Sequence, residues 1–373
     1  MEIRTRPLLY HFGMNSNLRS VIVGTGSSIP SVRVPNENFL SHEFWGADRK
    51  KIDKTNATIL EQFESITGIR ERRYAEDDRV SSDLASEAAR EALASNGSNG
   101  EDLDGIIVAH NFGDVRLGSR RSDLVPSLAA RVKHNLGIRN PAAAAFDLIF
   151  GCPGWLQGII VADSMIRSGA AKRMMVIGSE TLSRVTDPHD RDTLIYADGA
   201  GATILEGRES EDDAGVLAYT VRSDSAEQLE MLFMARSYHP DLVGDEIFLK
   251  MEGRKLYKYA LQTVAGAILD CLKKAGIGLQ DVKKVLIHQA NAKMDEAILG
   301  ALYQTAGLTP PDDVMPMTIS WLGNSSVATI PTMLDLIVRG RLEPHTISKG
   351  DIVVFASVGA GMHINAAVYR WAS

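Results

Sequence analysis

The stretch Phe146-Asp-Leu-Ile-Phe-Gly-Cys-Pro-Gly-Trp155 places a cysteine between an apolar strand and the start of a helix. Glycines flank Cys152 at positions 151 and 154, and Pro153 suits a helix start because no N–H is needed there. A thiol at a helix N-terminus experiences partial positive charge and exposed N–H groups. We therefore expect Cys152 to have a lowered thiol pKa and to act as a nucleophile. A buried structural cysteine is the alternative interpretation.

Around this stretch, short apolar runs alternate with helical patterns, which predicts an α/β fold. Several runs are continuously apolar, as is typical of strands buried on both faces. The predicted strands are Ser20–Gly24, Gly105–His110, Arg173–Ile177, Gly201–Glu206, Val282–Ile287 and Asp351–Ser357. The predicted helices are Ser82–Ala94, Pro126–Leu136, Gly154–Ser168, Arg254–Ala275 and Val327–Arg339. Gly169, Gly276 and Gly340 stand where helices of this set should end.

The order of these elements suggests two similar halves. Cys152 follows a predicted strand in the first half, and His288 follows one in the second half. We therefore divide the chain into an N-terminal extension over residues 1–19, a first half over 20–210 and a second half over 211–373. The nucleophilic cysteine belongs to the first half, whereas His288 and Asn324 belong to the second.

Composition excludes several classes of function. The chain has 40 Lys and Arg against 47 Asp and Glu, and its net charge of −7 argues against nucleic acid as a partner. Two cysteines, Cys152 and Cys271, make neither a disulfide framework nor a zinc site, which favours a reducing, cytoplasmic location and no metal. The apolar stretch 141–162 contains Asp147 and a Pro-Gly pair, so we expect buried core and no membrane span.

Other candidate site residues stand in short motifs. His288 lies in Ile287-His-Gln-Ala-Asn291, directly after an apolar strand, where α/β proteins place ligands. Asn324 lies in Trp321-Leu-Gly-Asn-Ser-Ser326, and Gly359-Ala-Gly361 follows another strand. Each has an ordinary alternative: a core histidine, a helix-capping asparagine and a simple glycine turn.

Taken together and in order, eight motifs resemble those of the ketoacyl synthase III family over residues 20–371. They are Val23-Gly-Thr-Gly-Ser-Ser-Ile-Pro30, Thr67-Gly-Ile-Arg-Glu-Arg72, Gly151-Cys-Pro-Gly154, Asp187-Pro-His-Asp-Arg191, Asp198-Gly-Ala-Gly201, His288-Gln-Ala-Asn291, Gly323-Asn-Ser-Ser326 and Gly359-Ala-Gly-Met362. The resemblance implies a thiolase fold with five αβαβα layers and two pseudo-symmetric halves, built as a homodimer.

The resemblance also implies a reaction. Cys152 would take an acyl group as a thioester, while His288 and Asn324 would bind the extender carbonyl and stabilise the enolate formed when carbon dioxide leaves. Backbone N–H groups of Cys152 and Ala360 would form a second oxyanion hole. The steps imply no cofactor, because acyl-CoA or acyl carrier protein thioesters are the substrates. The remaining implied substrate-binding residues are Val125, Arg191, Asn291, Gly359 and Gly361, and the implied carrier-docking residues are Arg254, Lys255, Lys258 and Lys293.

The chain departs from the family pattern at three places. Gln62 and Ile66 replace a tryptophan and an arginine that help to hold the coenzyme A nucleotide, which favours a primer delivered by acyl carrier protein, with acyl-CoA as the alternative donor. Val125 replaces a bulky aromatic residue that often caps the acyl tunnel across the dimer, which leaves room for a longer or branched acyl chain. Insertions over residues 45–58 and 224–248 are expected to reshape the tunnel mouth.

Several alternatives stay open at this point. A biosynthetic thiolase needs a second cysteine in the C-terminal glycine motif, which here has none, and Cys271 reads as a core residue. Head-to-head condensing enzymes and hydroxymethylglutaryl-CoA synthases need a glutamate base, for which Val125 and its surroundings offer no match. An acyltransferase that acylates an alcohol or amine, and a non-catalytic ketosynthase-like subunit, are the remaining alternatives to condensation in fatty-acid or specialised lipid and polyketide biosynthesis.

Overall fold

The structure, a computed structural model, describes residues 18–209 and 213–372. The predicted N-terminal extension therefore lies outside the described residues, apart from its last two, Leu18 and Arg19, which begin the first strand. The elements of the first half are β1 (Leu18–Ser28), β2 (Val32–Pro35), α1 (Asn56–Thr67), β3 (Glu71–Tyr74), α2 (Ser81–Asn96), β4 (Gly105–His110), β5 (Asp114–Val115), β6 (Ser122–Asp123), α3 (Leu128–Asn135), β7 (Ala144–Ile149), α4 (Gly154–Arg167), β8 (Arg173–Thr181) and β9 (Asp198–Glu209).

The second half continues the alternation of strands and helices. Its elements are β10 (Gly215–Ser223), α5 (Ser225–Gln228), β11 (Leu232–Ala235), β12 (Phe248–Met251), α6 (Gly253–Ala275), β13 (Val282–Ile287), α7 (Ala292–Thr305), α8 (Ile319–Leu322), α9 (Thr329–Val338), β14 (Ile352–Gly359) and β15 (His363–Arg370). Short 3-10 turns connect several of them, including one over Ser326–Ala328 directly before α9.

Two sheets form the framework. Within residues 18–209 the order is β1-β9-β8-β4-β7, with β4 parallel to both β7 and β8. Within residues 215–370 the order is β10-β15-β14-β13, with β13 parallel to β14. Because carboxyl ends of parallel strands meet at the same sheet edge, residues that follow β4, β7 and β8 come close together.

Five layers follow from alternate burial along the strands. Ile107 of β4 and Phe355 of β14 face a central core that α4 and α9 share with both sheets. Val108 faces the opposite way, towards α2 and α3, and Val354 faces α6 and α7. Since successive strand residues point to opposite faces, each sheet needs an apolar helix layer on both sides. The order of layers is αβαβα, as predicted.

The predicted elements agree with those observed, with differences mainly at their ends. Gly105–His110 and Val282–Ile287 match β4 and β13 at both ends. The first strand runs four residues further than predicted, to Ser28. A Cβ at Gly26 would collide with the backbone of α2. Gly24 and Gly26 therefore let the helix approach the strand closely and lie within β1.

The apolar stretch over residues 141–162 is divided between β7 and α4, with a turn at the nucleophile between them. It is therefore not a single helix. The α4 part is mostly buried, as expected, whereas β7 is only partly buried in the single chain and Ile149 at its end is 63% exposed, so the expectation of buried core is wrong for the strand. Among the described residues, no helix combines the length and the apolar character that a membrane crossing requires.

Candidate active site

Cys152 lies in a tight turn between β7 and α4. Gly151 has φ +64°, a conformation that favours glycine, and Gly154 N–H donates to the Gly151 carbonyl at 3.0 Å. The end of β14 packs against this turn, because a Cβ at Gly151 would lie 2.8 Å from the backbone nitrogen of Ala360. A Cβ at Gly359 would collide with the backbone nitrogen of Cys152. The nucleophile turn and the glycine turn therefore meet backbone to backbone, and both contacts require glycine.

His288 and Asn324 approach from the second half. His288 directly follows β13, and its backbone N–H donates to the Ala356 carbonyl of β14 at 2.9 Å. Asn324 follows α8, and its backbone N–H donates to the Ile195 carbonyl at 2.9 Å. Both side chains are buried, at 6% and 3% exposure. The site histidine and asparagine are thus held by backbone contacts to neighbouring elements.

Ser326 links the three predicted catalytic residues. Its hydroxyl donates to Cys152 Sγ at 3.3 Å, and its backbone N–H donates to Asn324 Oδ1 at 2.8 Å. Its backbone also lies against the His288 ring, whose pKa it raises slightly. Ser326 has φ +53°, which is strained for a residue with a side chain and is a feature of functional sites. The structure thus brings Cys152, His288 and Asn324 together around one residue.

Burial sets the protonation state of the histidine. Desolvation lowers the pKa of His288 to about 4, an effect that the backbone of Ser326 only partly offsets. The ring is therefore neutral near pH 7, and Nδ1 is buried without a hydrogen-bond partner among the described residues. A neutral imidazole carries one N–H and can donate it to a carbonyl oxygen.

The prediction that the pKa of the Cys152 thiol is lowered is wrong. Part of the residue remains accessible, but protein surrounds the sulfur closely enough for desolvation to raise the pKa of the Cys152 thiol to about 11. The Ser326 hydroxyl lowers that pKa, and the Glu180 carboxylate raises it further. Helix α4 begins two residues beyond the thiol, so its N–H groups do not outweigh the burial.

Sequence reasoning missed four residues around the nucleophile: Asn111, Glu180, Tyr196 and Ser326. Asn111 follows β4, and its backbone N–H and Nδ2 both donate to Glu180 Oε1, at 2.5 and 2.6 Å. Asn111 Nδ2 also donates to Ser326 Oγ at 3.3 Å. Tyr196 is buried and close enough to Cys152 to interact electrostatically with it. Asn111 and Glu180 lie at the carboxyl ends of parallel strands, which is the signal that could have found them.

We expect Glu180 to make stability depend on pH. Desolvation raises its pKa from 4.5 to about 7, so the folded chain keeps this proton between about pH 4.5 and 7, where the unfolded chain loses it. The contribution of this protonated carboxyl to the free energy of unfolding is therefore full below about pH 4.5 and is lost as pH rises through 7. Glu180→Gln should raise the free energy of unfolding at pH 8 by up to about 3 kcal/mol, and change it little at pH 4.5. Urea unfolding at both pH values measures the difference, and equal changes at both would contradict it.

Comparisons with known proteins agree with this geometry. Family models described as 3-oxoacyl-[acyl-carrier-protein (ACP)] synthase III and its C-terminal part match residues 146–225 and 272–371. A beta-ketoacyl-[acyl-carrier-protein] synthase III of Sphingopyxis alaskensis is 34% identical over 354 residues, which cover 94% of this chain and 99% of that protein. The chain belongs to the beta-ketoacyl-[acyl-carrier-protein] synthase III family. It is accordingly an acyltransferase of the ketosynthase type, as predicted.

Solved structures of a synthase III and of another ketosynthase show the same fold. The crystal structure of 3-oxoacyl-[acyl-carrier-protein] synthase III from Aquifex aeolicus superimposes with a TM-score of 0.75 at 30% identity, covering 94% of this chain and 100% of that chain. The priming beta-ketosynthase of the R1128 polyketide pathway gives a TM-score of 0.77 at 25% identity, covering 95% and 97%. The predicted thiolase fold is thereby confirmed.

Of the other residues that the synthase III resemblance implied, Val125 and Arg191 are exposed, and Asn291 forms a hydrogen bond with the backbone. Val125 is 85% exposed in the single chain. Arg191 is half exposed and lies 3.5 Å from the Asp192 carboxylate. Asn291 is partly buried, and its side chain caps α7 by accepting from Met294 N–H at 3.1 Å. That bond gives Asn291 a structural role, whereas the resemblance implied contact with substrate, which stays a prediction.

The two predicted insertions contact each other beside a synthase III motif. Trp45 of the first insertion and His239 of the second have ring centroids 4.8 Å apart. The backbone N–H of Trp45 also donates to the carbonyl of His189 at 2.8 Å, within the motif that ends at Arg191. The insertions therefore pack on the segment that carries the predicted substrate-binding arginine, and their effect on the tunnel mouth stays a prediction.

Proposed function

We propose that this synthase III joins an acyl group held on Cys152 to a malonyl-type extender carried by acyl carrier protein. One observation carries the proposal: Ser326 contacts Cys152 and Asn324 and adjoins His288, so that nucleophile and enolate-binding pair share one pocket. Relatives named beta-ketoacyl-[acyl-carrier-protein] synthase III support it at 34% identity over nearly the whole chain.

The proposed reaction has two half-reactions. In the first, Cys152 Sγ attacks the primer thioester, the donor's C–S bond breaks, and the departing thiol takes the proton that Cys152 loses. In the second, the extender loses carbon dioxide, and its enolate attacks the acyl carbonyl and expels the Cys152 thiolate. Asn324 and neutral His288 would donate to the enolate oxygen, and the N–H groups of Cys152 and Ala360 to the oxygen of the acyl carbonyl. These steps use thioester substrates and need no cofactor.

The protonation state of His288 supports this assignment. A cationic ring would attract the extender carboxylate and stabilise it against decarboxylation, whereas a neutral ring offers a hydrogen bond mainly to the oxygen on which charge develops. Burial keeps the pKa of His288 near 4, so the ring stays neutral across the physiological range.

A product assay tests the proposal. Intact-protein mass spectrometry after incubation with acyl thioesters should show one acyl adduct, which disappears on addition of malonyl-acyl carrier protein. The carrier product should then gain the primer acyl group and lose the mass of carbon dioxide. Transfer of the acyl group to an added alcohol or amine, without loss of carbon dioxide, would instead support the acyltransferase alternative, which the intact His288–Asn324 pair disfavours. A protein that forms no adduct would support the non-catalytic alternative.

The proposed carrier-docking residues lie on two adjoining helices. Arg254, Lys255 and Lys258 are exposed on the first turns of α6, and Lys293 is exposed at the start of α7. Lys255 pairs with a neighbouring glutamate at 3.4 Å. The end of α1 reaches the same place, since a Cβ at its capping glycine would lie 2.9 Å from Ala292. Exposed cations on these adjoining helices fit an acidic carrier protein.

We expect loading from acyl carrier protein to exceed loading from coenzyme A. Gln62 bonds Lys54 at 2.9 Å and Ile66 is 53% exposed, so neither supplies an aromatic face or a cation for a nucleotide. Lys258→Glu and Lys293→Glu should each lower kcat/KM for the carrier donor about 3-fold to 10-fold, and less at higher salt, because exposed charges are screened. A soluble thioester analogue should be unaffected.

Lys273→Glu is the matched control for this prediction. It makes the same charge change on the exposed C-terminal end of α6, about 22 Å along the helix from Lys258. It should leave the carrier donor unaffected. An equal loss of kcat/KM in Lys273→Glu would show that the overall charge of the protein, not a docking site, causes the loss. A strong preference for acyl-CoA in the unmodified enzyme would overturn the carrier proposal.

We also propose a homodimer, on the basis of an open sheet edge. Strand β7 pairs with β4 on one side and has no partner among the described strands on the other. Ile149 at its end is 63% exposed, and Val125 is 85% exposed. An apolar edge strand is a ready template for a second copy, which would cover Val125. Analytical ultracentrifugation should give twice the mass of one chain. Ile149→Asp should shift the measured mass towards that of a single chain, because it places a charge on the proposed interface.

A further inference from the structure

A chain of hydrogen bonds connects the nucleophile to a buried carboxyl group. Ser326 Oγ donates to Cys152 Sγ at 3.3 Å, and Asn111 Nδ2 donates to Ser326 Oγ at 3.3 Å. The same Nδ2 donates to Glu180 Oε1 at 2.6 Å, and the backbone N–H of Asn111 reaches that oxygen at 2.5 Å. Glu180 is 1% exposed. The side chains of Ser326, Asn111 and Glu180 have no part in the roles proposed above for Cys152, His288 and Asn324.

The donors and acceptors fix the direction of this chain. An amide nitrogen has two hydrogens, and Asn111 gives one to Glu180 and the other to Ser326. Because Ser326 Oγ already accepts, its own hydrogen is left to point at the sulfur. Glu180 therefore orients Asn111, Asn111 orients Ser326, and Ser326 presents a donor to Cys152.

We propose that Ser326 is a catalytic hydrogen-bond donor to the Cys152 thiolate, and that Asn111 and Glu180 are positioning residues that act through it. The thiolate occurs twice, when Cys152 attacks the primer and when the enolate expels it from the acyl carbonyl. In the second event the C–C bond forms, the C–S bond breaks, and the electron pair returns to Sγ, which then takes a proton. The proposal rests on the nucleophilic role proposed for Cys152.

The surroundings make such a donor necessary. Burial disfavours a charged sulfur, and the Ser326 hydroxyl is the largest of the contributions that lower the pKa of this thiol. The backbone strain at Ser326 also fits a functional position, because φ +53° is a conformation that glycine adopts more readily than a residue with a side chain.

The test measures reactivity of the single thiol in a Cys271→Ala background. Ser326→Ala and Ser326→Gly should each slow alkylation of Cys152 by iodoacetamide, and its acylation, about 10-fold at pH 7.5, with the pH profile displaced upward. Because glycine relieves the strain at φ +53°, Ser326→Gly should be more stable than Ser326→Ala, and thermal unfolding of both variants checks that they fold. Asn111→Ala should slow both reactions several-fold. Glu180→Gln keeps the acceptor oxygen and should react at least as fast as the parent, whereas Glu180→Leu should resemble Asn111→Ala.

Two comparisons decide the outcome. Ser179→Ala is the control, because Ser179 is buried beside Glu180 on β8 but bonds Ser81 at 2.9 Å on the other face of the strand. It should leave the thiol unchanged. In a double-mutant cycle, Asn111→Ala should cost nothing further once Ser326→Ala is present. Multiplicative losses, or unchanged alkylation in Ser326→Gly, would overturn the relay. Normal alkylation with no acyl adduct in the parent would instead refute the proposed function.

Discussion

Cys152→Ala should abolish formation of the acyl adduct and lower condensation by at least about 10³-fold, because it removes the thiol proposed to carry the acyl chain. Its thiol is the one that lies in the turn between β7 and α4, within 3.3 Å of Ser326 Oγ. The side chain is small, and its removal costs one weak hydrogen bond from the Ser326 hydroxyl to sulfur, so the variant should still fold. Mass spectrometry after incubation with acyl thioesters measures the adduct, and thermal unfolding checks the fold.

Cys271→Ala is the matched control for the nucleophile. Cys271 is the other cysteine of the chain and lies fully buried on α6, with Sγ about 3.4 Å from the Ala366 carbonyl. Burial raises the pKa of the Cys271 thiol to about 11, as it does for Cys152. The two thiols therefore differ mainly in their positions in the fold, not in their acidity. The variant should keep both half-reactions and lose about 1 kcal/mol of stability through the small cavity. Loss of activity in a folded Cys271→Ala protein would refute the single-cysteine mechanism.

Much of the fold could be predicted because burial leaves a local signature. The run Gly105–His110 is apolar up to its last residue, and Val282–Ile287 ends in the apolar triplet Val285–Ile287, which was enough to predict both strands from local sequence. The ends of elements were less predictable: the predicted strand Ser20–Gly24 stopped short of Gly26, which lies within β1 and admits α2 closely. Whether a glycine turns the chain or admits a neighbour depends on residues about 60 positions away.

The site residues are likewise of two kinds: those that a local motif predicts and those that only the fold brings together. Cys152, His288 and Asn324 each stand in a motif of a few residues, which made them recognisable. Asn111 and Glu180 are 69 residues apart, and their partner Ser326 lies 215 residues from Asn111. A hydrogen bond over such a distance leaves no local pattern. The thiol pKa was mispredicted for a related reason, because the helix start is visible in the sequence but the burial that outweighs it is tertiary.

His288→Ala and Asn324→Ala should each lower condensation by about 10²-fold or more, since each would remove a hydrogen bond to the enolate oxygen. Self-acylation of Cys152 should fall much less, because that half-reaction forms no enolate. His288 is the cleaner test, because its Nδ1 has no hydrogen-bond partner among the described residues and its contact with Ser326 is with the backbone, not with the hydroxyl that faces Cys152. Asn324 Oδ1 accepts from Ser326 N–H, and truncation there disturbs the backbone beside the nucleophile as well.

The two half-reactions must therefore be measured separately in both variants. Single-turnover mass spectrometry gives the rate of acylation, and release of carbon dioxide from malonyl-acyl carrier protein gives the rate of enolate formation. Asn324→Asp is a useful companion, because it keeps the acceptor for Ser326 but supplies no amide donor to the enolate. It should lose condensation as Asn324→Ala does, while acylating faster than Asn324→Ala. Equal losses of acylation and condensation in His288→Ala would show that this ring supports the nucleophile or the fold, and enolate stabilisation would then have to come from another group.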